Sequence, residues 1–189
     1  MPNEVALDGR IDAESLFRAH AAFLAGFVRR LGVAIEDVDD VVQEAFLVAH
    51  RKGGYLPGPA QPRSWLGAIA WRLAKNRRRQ HARSREAPDS DGLEEFAGDG
   101  RSPAELVEVH AALARVQRAL DSLDIDHRAA FVLYELEGES CPAIAEAFGV
   151  PVGTIYSRLH TARRGFMQAY GQLDVPVRQT PHTRIAASP

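Results

Sequence analysis

Wherever apolar residues recur in this 189-residue chain they do so three and four apart, and where the recurrence stops glycine and proline gather; a chain punctuated in this way folds as packed helices and shows no strand-like alternation. Leu16, His20 or Ala21, Leu24, Phe27 or Val28, and Leu31 give a first amphipathic helix over 12–31, with Asp12 as its N-cap. Val38, Val41, Val42, Ala45 and Ala49 form the stripe of a second. Its first turns carry Glu36, Asp37, Asp39 and Asp40, where the helix dipole favours negative charge. The run Lys52-Gly53-Gly54-Tyr55-Leu56-Pro57-Gly58-Pro59 cannot continue a helix. Pro62 suits the first position of a third, with Trp65, Leu66, Ile69 and Leu73 on its apolar stripe.

Residues 87–101, with Pro88, Gly92, Gly98 and Gly100 among acids, have the composition of a solvated linker. Ser102-Pro103-Ala104-Glu105 then matches a capping box, and Leu106, Val109, Leu113, Val116, Leu120 and Leu123 run down one face of the helix it opens. A further helix spans roughly 126–137. Beyond Gly171 the tail holds Pro176, Pro181 and Pro189 with little apolar content, and disorder is expected there. The expected class is all-α: two small helical domains, 10–86 and 103–171, joined by a flexible acidic linker, 87–102, and followed by a tail, 172–189. Helical domains below about 80 residues are individually marginal, so dependence on a partner is expected.

Ser140 can cap a short helix ending at Gly149, and after Val150-Pro151-Val152-Gly153 another helix is expected from Thr154. Ala145, then Gly149, then Ile155 put a small residue at the helix contact, a glycine at the turn and an apolar anchor beyond, which is helix-turn-helix spacing. Ile155, Leu159, Ala162, Phe166 and Tyr170 take one face of the second helix. The opposite face holds Tyr156, Ser157, Arg158, His160, Thr161, Arg163 and Arg164, hydrogen-bond donors with no carboxylate to repel phosphate. An ordinary αα-hairpin with a solvated basic face is the competing reading, and the agreement of spacing with turn disfavours it.

Formal charge is only -2, yet it is strongly segregated. Residues 63–85 carry eight bases (Arg63, Arg72, Lys75, Arg77, Arg78, Arg79, Arg83, Arg85) and no acid. Residues 86–109 carry eight acids against Arg101 alone. Eight like charges on one helix repel one another unless a polyanion meets them, so nucleic acid is the expected partner of the basic block. Trp65 lies on the apolar stripe. Trp71 is about half a turn off it, where stacking on an exposed base and burial against a neighbouring helix are both open.

Other classes fare worse. One cysteine, Cys141, excludes a disulfide framework and a cysteine-rich zinc site, and fits a reducing cytoplasm. The seven histidines are scattered, so neither a metal nor a cofactor is expected. The longest apolar stretch, 21–28, falls short of the roughly 20 residues of a membrane span, and no secretory signal opens the chain. The cluster Asp37 to Glu44 lacks the second acidic motif that metal–diphosphate chemistry would require, so an enzyme is not expected.

The run Asp37-Val38-Asp39-Asp40-Val41-Val42-Gln43-Glu44-Ala45-Phe46-Leu47-Val48-Ala49-His50, followed by Trp65-Leu66-Gly67-Ala68-Ile69-Ala70 leading into Arg77-Arg78-Arg79, resembles region 2 of bacterial extracytoplasmic-function (ECF) sigma factors of the sigma-70 family. Gly153-Thr154-Ile155-Tyr156-Ser157-Arg158-Leu159-His160-Thr161-Ala162-Arg163 resembles the recognition helix of their region 4. Together the matches cover about residues 12–170, in the family's order. The resemblance implies a cytoplasmic, non-catalytic subunit that binds RNA polymerase core and directs promoter-specific initiation. Asp37, Asp40, Gln43 and Glu44 would dock on the clamp of the largest polymerase subunit, and the second domain would meet the flap of the second-largest. Loop 51–63 and the helix after it would recognise and melt the minus-10 element, with Trp65, Trp71, Arg72, Lys75, Asn76, Arg78 and Arg79 as candidates.

The helix from Thr154 would enter the major groove of the minus-35 element. There Tyr156, Ser157, His160 and Thr161 are candidates for base edges, and Arg158, Arg163 and Arg164 for phosphates. An anti-sigma factor is a further implied partner. The acidic linker would thread a basic channel of the polymerase and, in the free protein, could screen the basic block. Three departures from the family pattern stand out: Arg72 replaces a usual Asn and Asn76 a usual Asp, Tyr156 and Thr161 replace residues that are often basic, and loop 51–63 is unusually rich in Gly and Pro. A stand-alone helix-turn-helix regulator is the alternative; it would need a dimer to read two half-sites and would bind DNA unaided.

Overall fold

A computed structural model describes residues 9–84 and 103–173. The expected linker, the capping Ser102 and residues 174–189 of the tail lie outside the described residues, while residues 172 and 173, expected in the tail, close the last helix. Among the described residues seven α-helices follow in order: α1 (Ala13–Arg30), α2 (Ile35–Arg51), α3 (Pro62–Ser84), α4 (Pro103–Asp121), α5 (Ile125–Phe131), α6 (Cys141–Phe148) and α7 (Val152–Leu173). Asp12 caps α1 as expected, accepting from the Ser15 amide at 2.8 Å, and the bonds that make this cap hold its carboxyl below the usual carboxylate range.

Helices α1, α2 and α3 pack on one another, and α7 lies against α4, α5 and α6. Leu16, Leu24, Phe27, Val41, Ala45, Ala49 and Leu66 fill the first group; Leu120, Ala129, Ile144, Ile155, Leu159 and Ala162 fill the second. The buried residues of the two groups are continuous, because α3 also packs on α5 and α6, and Leu133 and Ile144 are buried in one cluster with Phe27 and Leu66. Gly67 of α3 comes so near that a Cβ there would lie 3.1 Å from Leu133.

Three sequence expectations need correction. Leu113 is 43% exposed; α4 packs on α7, and among its described residues the buried ones begin at Ala119. The helix expected over 126–137 starts at Ile125, capped by Asp124, and at Val132 widens into a π-helical turn over Val132–Leu136, with the Glu137 amide reaching back to the Val132 carbonyl. Helix α7 begins at Val152 rather than Thr154, because the fixed φ of Pro151 brings the chain into helical conformation at once and its carbonyl already accepts from Thr154 at 2.9 Å.

Candidate nucleic-acid interface

Ser140 caps α6 through the Ala143 amide, and Gly149 ends it at φ 68°, a left-handed terminus that glycine adopts without strain. From that turn α7 leaves with Ile155, Leu159 and Ala162 buried. Tyr156, at 57%, is well exposed, as are Ser157, His160, Thr161, Arg163 and Arg164, while Thr154 is half-buried. Arg163 is tied to Glu135 at 2.6 Å and lies 5.4 Å over the Tyr134 ring. Arg158 departs from the expected face: its side chain turns inward, 3.8 Å from Asp126 of α5 and 5.9 Å from the centre of the Trp71 ring.

On α3 the basic side chains are mostly engaged. Trp65 meets Tyr55 edge-on and leans on the core. Trp71 is buried, which settles the choice between base stacking and burial for this conformation: its indole lies parallel to Phe148, 4.6 Å away at 4°. Its Nε1 donates to Asp126 at 3.0 Å. Lys75 grips both oxygens of that carboxylate at 2.7 and 2.8 Å. Arg72 reaches the last carbonyls of α6, those of Ala147 and Phe148, where a helix C-terminus favours a cation. Arg78 donates to the Leu31 carbonyl at the end of α1. Asn76 and Arg79 are exposed.

Burial pushes the Asp126 carboxyl up, but the Lys75 hydrogen bond and charge, the indole N–H and Arg158 outweigh it and hold the group below the usual carboxylate range. Two further carboxylates cross between the helix groups. Glu137 accepts from Arg30 at 3.2 Å and Arg63 at 2.6 Å, and Glu139 accepts from the buried Ser64 hydroxyl. Arg128, 1% exposed, bonds Asp121 at 2.8 Å and the Leu123 carbonyl, and abuts Gly32 between α1 and α2. Burial pushes its guanidinium down to about 10 against the opposing pull of Asp121. None of Asp126, Glu137, Glu139 or Phe148 stands out in the sequence, since a carboxylate in a first turn or an aromatic near a helix end says nothing about which distant cation or ring it meets.

On α2, Asp40, Gln43 and Glu44 are exposed at helical neighbour spacing, with Leu47 standing 53% exposed one turn on. Asp37 is turned in, its side chain 13% exposed and 3.6 Å from Arg77, which also approaches Asp40 at 3.7 Å. The chain between α2 and α3 is pinned to residue 11: Ile11 and Tyr55 exchange both backbone hydrogen bonds, and the Tyr55 hydroxyl donates to the Ala60 carbonyl. Between this loop and α6 lies a cavity of about 370 Å³, with Tyr55, Leu56, Trp65 and Arg72 on one side and Glu146 and Gly149 on the other.

Known proteins share this arrangement. Residues 16–84 match the family model of sigma-70 region 2, and residues 113–164 that of sigma-70, region 4. The chain is 34% identical over 164 residues to the ECF RNA polymerase sigma factor SigM of Mycobacterium tuberculosis, covering 87% of this chain and 80% of that protein. It is 35% identical over 155 residues to the RNA polymerase sigma-H factor of Pseudomonas aeruginosa, covering 77% and 79%. Among solved structures, CnrH in complex with the cytosolic domain of CnrY superposes with a TM-score of 0.59 at 27% identity, over 86% of this chain and 88% of that one. The sigma factor RpoE of Bartonella quintana, solved with the anti-sigma factor NepR, shares the fold with a TM-score of 0.64 at 21% identity, over 85% and 97%.

Proposed function

The chain belongs to the extracytoplasmic-function sigma factors of the sigma-70 family, and it is a subunit that binds RNA polymerase and directs promoter-specific initiation; from that premise we propose how its residues divide the work. The first domain, 10–86, docks on the clamp of the largest polymerase subunit through Asp40, Gln43 and Glu44, with Leu47 as apolar anchor. Their common exposure on α2 supports this role, and Asp37 serves by holding Arg77. The second domain, 103–171, meets the flap of the second-largest subunit, with the exposed apolar Val107 and Met167 as the side chains such a surface would cover.

The observation that carries the promoter assignment is the exposed donor face of α7, projected by the Gly149 turn. Tyr156, Ser157, His160 and Thr161 read base edges of the minus-35 element, and Arg163 and Arg164 hold its phosphates. Thr154 and Arg158 flank that face. For the minus-10 element Asn76 and Arg79 are exposed at once, whereas Trp71, Arg72, Lys75 and Arg78 become available once their present partners are released. Loop 51–61, pinned by Ile11 and backed by Trp65, supplies the cavity wall against which an unpaired base is held.

No covalent chemistry is involved, and the site of action is the polymerase in the cytoplasm. CnrH and the Bartonella RpoE were solved with CnrY and the anti-sigma factor NepR, which supports a protein antagonist for this chain as well. Reconstitution tests the reading. Mixed with core polymerase and a promoter library, the protein should yield specific transcripts, and Thr161→Ala should change which minus-35 sequences are selected. Transcription from no template, or a Thr161→Ala variant that scales every promoter equally, would overturn it.

A further inference from the structure

A carboxylate stands beside the face of α7 that the reading above gives to duplex DNA. Glu135 accepts from Arg163 Nε at 2.6 Å, and the Arg163 guanidinium carbon lies over the Tyr134 ring, 5.4 Å from its centre. With the arginine side chain 52% and the glutamate 32% exposed, this pair adds little to stability, because water screens it and two long side chains lose freedom in forming it. Toward DNA the carboxylate is a liability, since it repels phosphate. Folding alone therefore does not account for its place. Both partners of Arg163 also come from the π-wound turn Val132–Leu136, a rare winding that recurs at functional sites. Leu133 of that turn is fully buried, so Tyr134 and Glu135 stand on an anchored base.

A guanidinium is planar and carries five N–H groups in a fixed fork. Here Nε–H is given to Glu135 and the Tyr134 ring flanks the head, so the terminal amino groups are the edge left for a phosphate. We propose that Glu135 and Tyr134 are positioning residues for minus-35 recognition: they hold Arg163 in one orientation and so admit a phosphate in one register along α7. The inference rests on the assignment of Arg163 to a minus-35 phosphate made above, and it adds the groups that aim it. Phosphate contacts set where a helix sits on the duplex, and base contacts discriminate only once that register is fixed. An untethered Arg163 would reach phosphates in several registers and on any sequence. The Glu135 carboxylate repels those out of register, so what it costs in affinity it returns as selectivity. Tyr156, Ser157, His160 and Thr161 thereby meet the same base edges at each encounter.

The test uses the polymerase holoenzyme on two templates, a promoter selected by the wild-type protein and the same promoter with its minus-35 element scrambled, and reads the ratio of transcripts. Glu135→Ala is expected to lower that ratio at least about fivefold, a coupling of ordinary size for side chains in direct contact. Glu135→Gln, whose side-chain oxygen still accepts from Nε, should retain most of it, and Tyr134→Leu should lose part. In an Arg163→Ala background, Glu135→Ala should lower the ratio no further. A ratio unchanged by Glu135→Ala overturns the proposal, as does an equal loss with Glu135→Gln or an undiminished effect in the Arg163→Ala background. A loss of ratio seen only in variants whose Tm has dropped in the free chain overturns it too. Failure of the underlying assignment reads separately: Arg163→Ala would then leave the salt dependence of promoter binding as it is in wild type, instead of making it shallower by about one unit.

Discussion

Asp126 accepts hydrogen bonds from an indole N–H and an ammonium of α3 and pairs at 3.8 Å with a guanidinium of α7, and its energetic role follows from that company. A carboxylate accepting charge-assisted hydrogen bonds at a partly dry site contributes more than an exposed ion pair. Its pKa in the folded chain lies below its ordinary 3.8, so the sign is fixed: the contribution is complete above the unfolded pKa and is lost as pH falls through the folded one. Asp126→Asn should therefore cost about 1–2 kcal/mol of unfolding free energy at pH 7. That gap between variant and wild type should stay flat down to about pH 5 and close below about pH 4, which urea titrations across pH would measure. Arg163, held by Glu135, and Arg164, exposed beside it, show how two adjacent bases of one sequence motif enter different surroundings.

Among the elements, α1, α2 and the helix-turn-helix were legible because each announces itself locally: Asp12 and Ser140 as caps, Gly149 as the left-handed terminus, apolar stripes at helical spacing between them. The π-helical turn after Phe131 was not, since nothing in Val132–Leu136 prefers the wider winding; within it Leu133 is seated against Gly67 of α3. The turn between α1 and α2 behaves similarly. Gly32 sits at φ 76°, a conformation glycine adopts freely, and it also lies where a Cβ would approach the buried Arg128 guanidinium to 2.5 Å. Gly32→Ala should thus be penalised twice, by backbone strain and by displacement of Arg128, and lose about 2–4 kcal/mol in chemical denaturation. A loss under 1 kcal/mol would show that Arg128 does not need its place under that turn.

At the scale of the whole molecule, net charge near zero conceals opposed parts, and the sequence shows the basic block and the donor-rich helix, which lie on α3 and α7, without indicating that they meet. Periodicity reports which face of a helix is apolar; it does not report that the off-stripe Trp71 has a second apolar neighbour in Phe148, because that neighbour lies 77 positions away and is brought there only by the closing of one domain on the other. On the reading proposed above, the two surfaces assigned to DNA, which lie together in the free chain, are separated on the polymerase. The most direct measurement is the distance between them, by energy transfer between dyes on Arg18→Cys and Gln168→Cys in a Cys141→Ala background, with and without core polymerase. High transfer in the free protein that falls sharply on binding core is the predicted result, and equal transfer in the two states would contradict it.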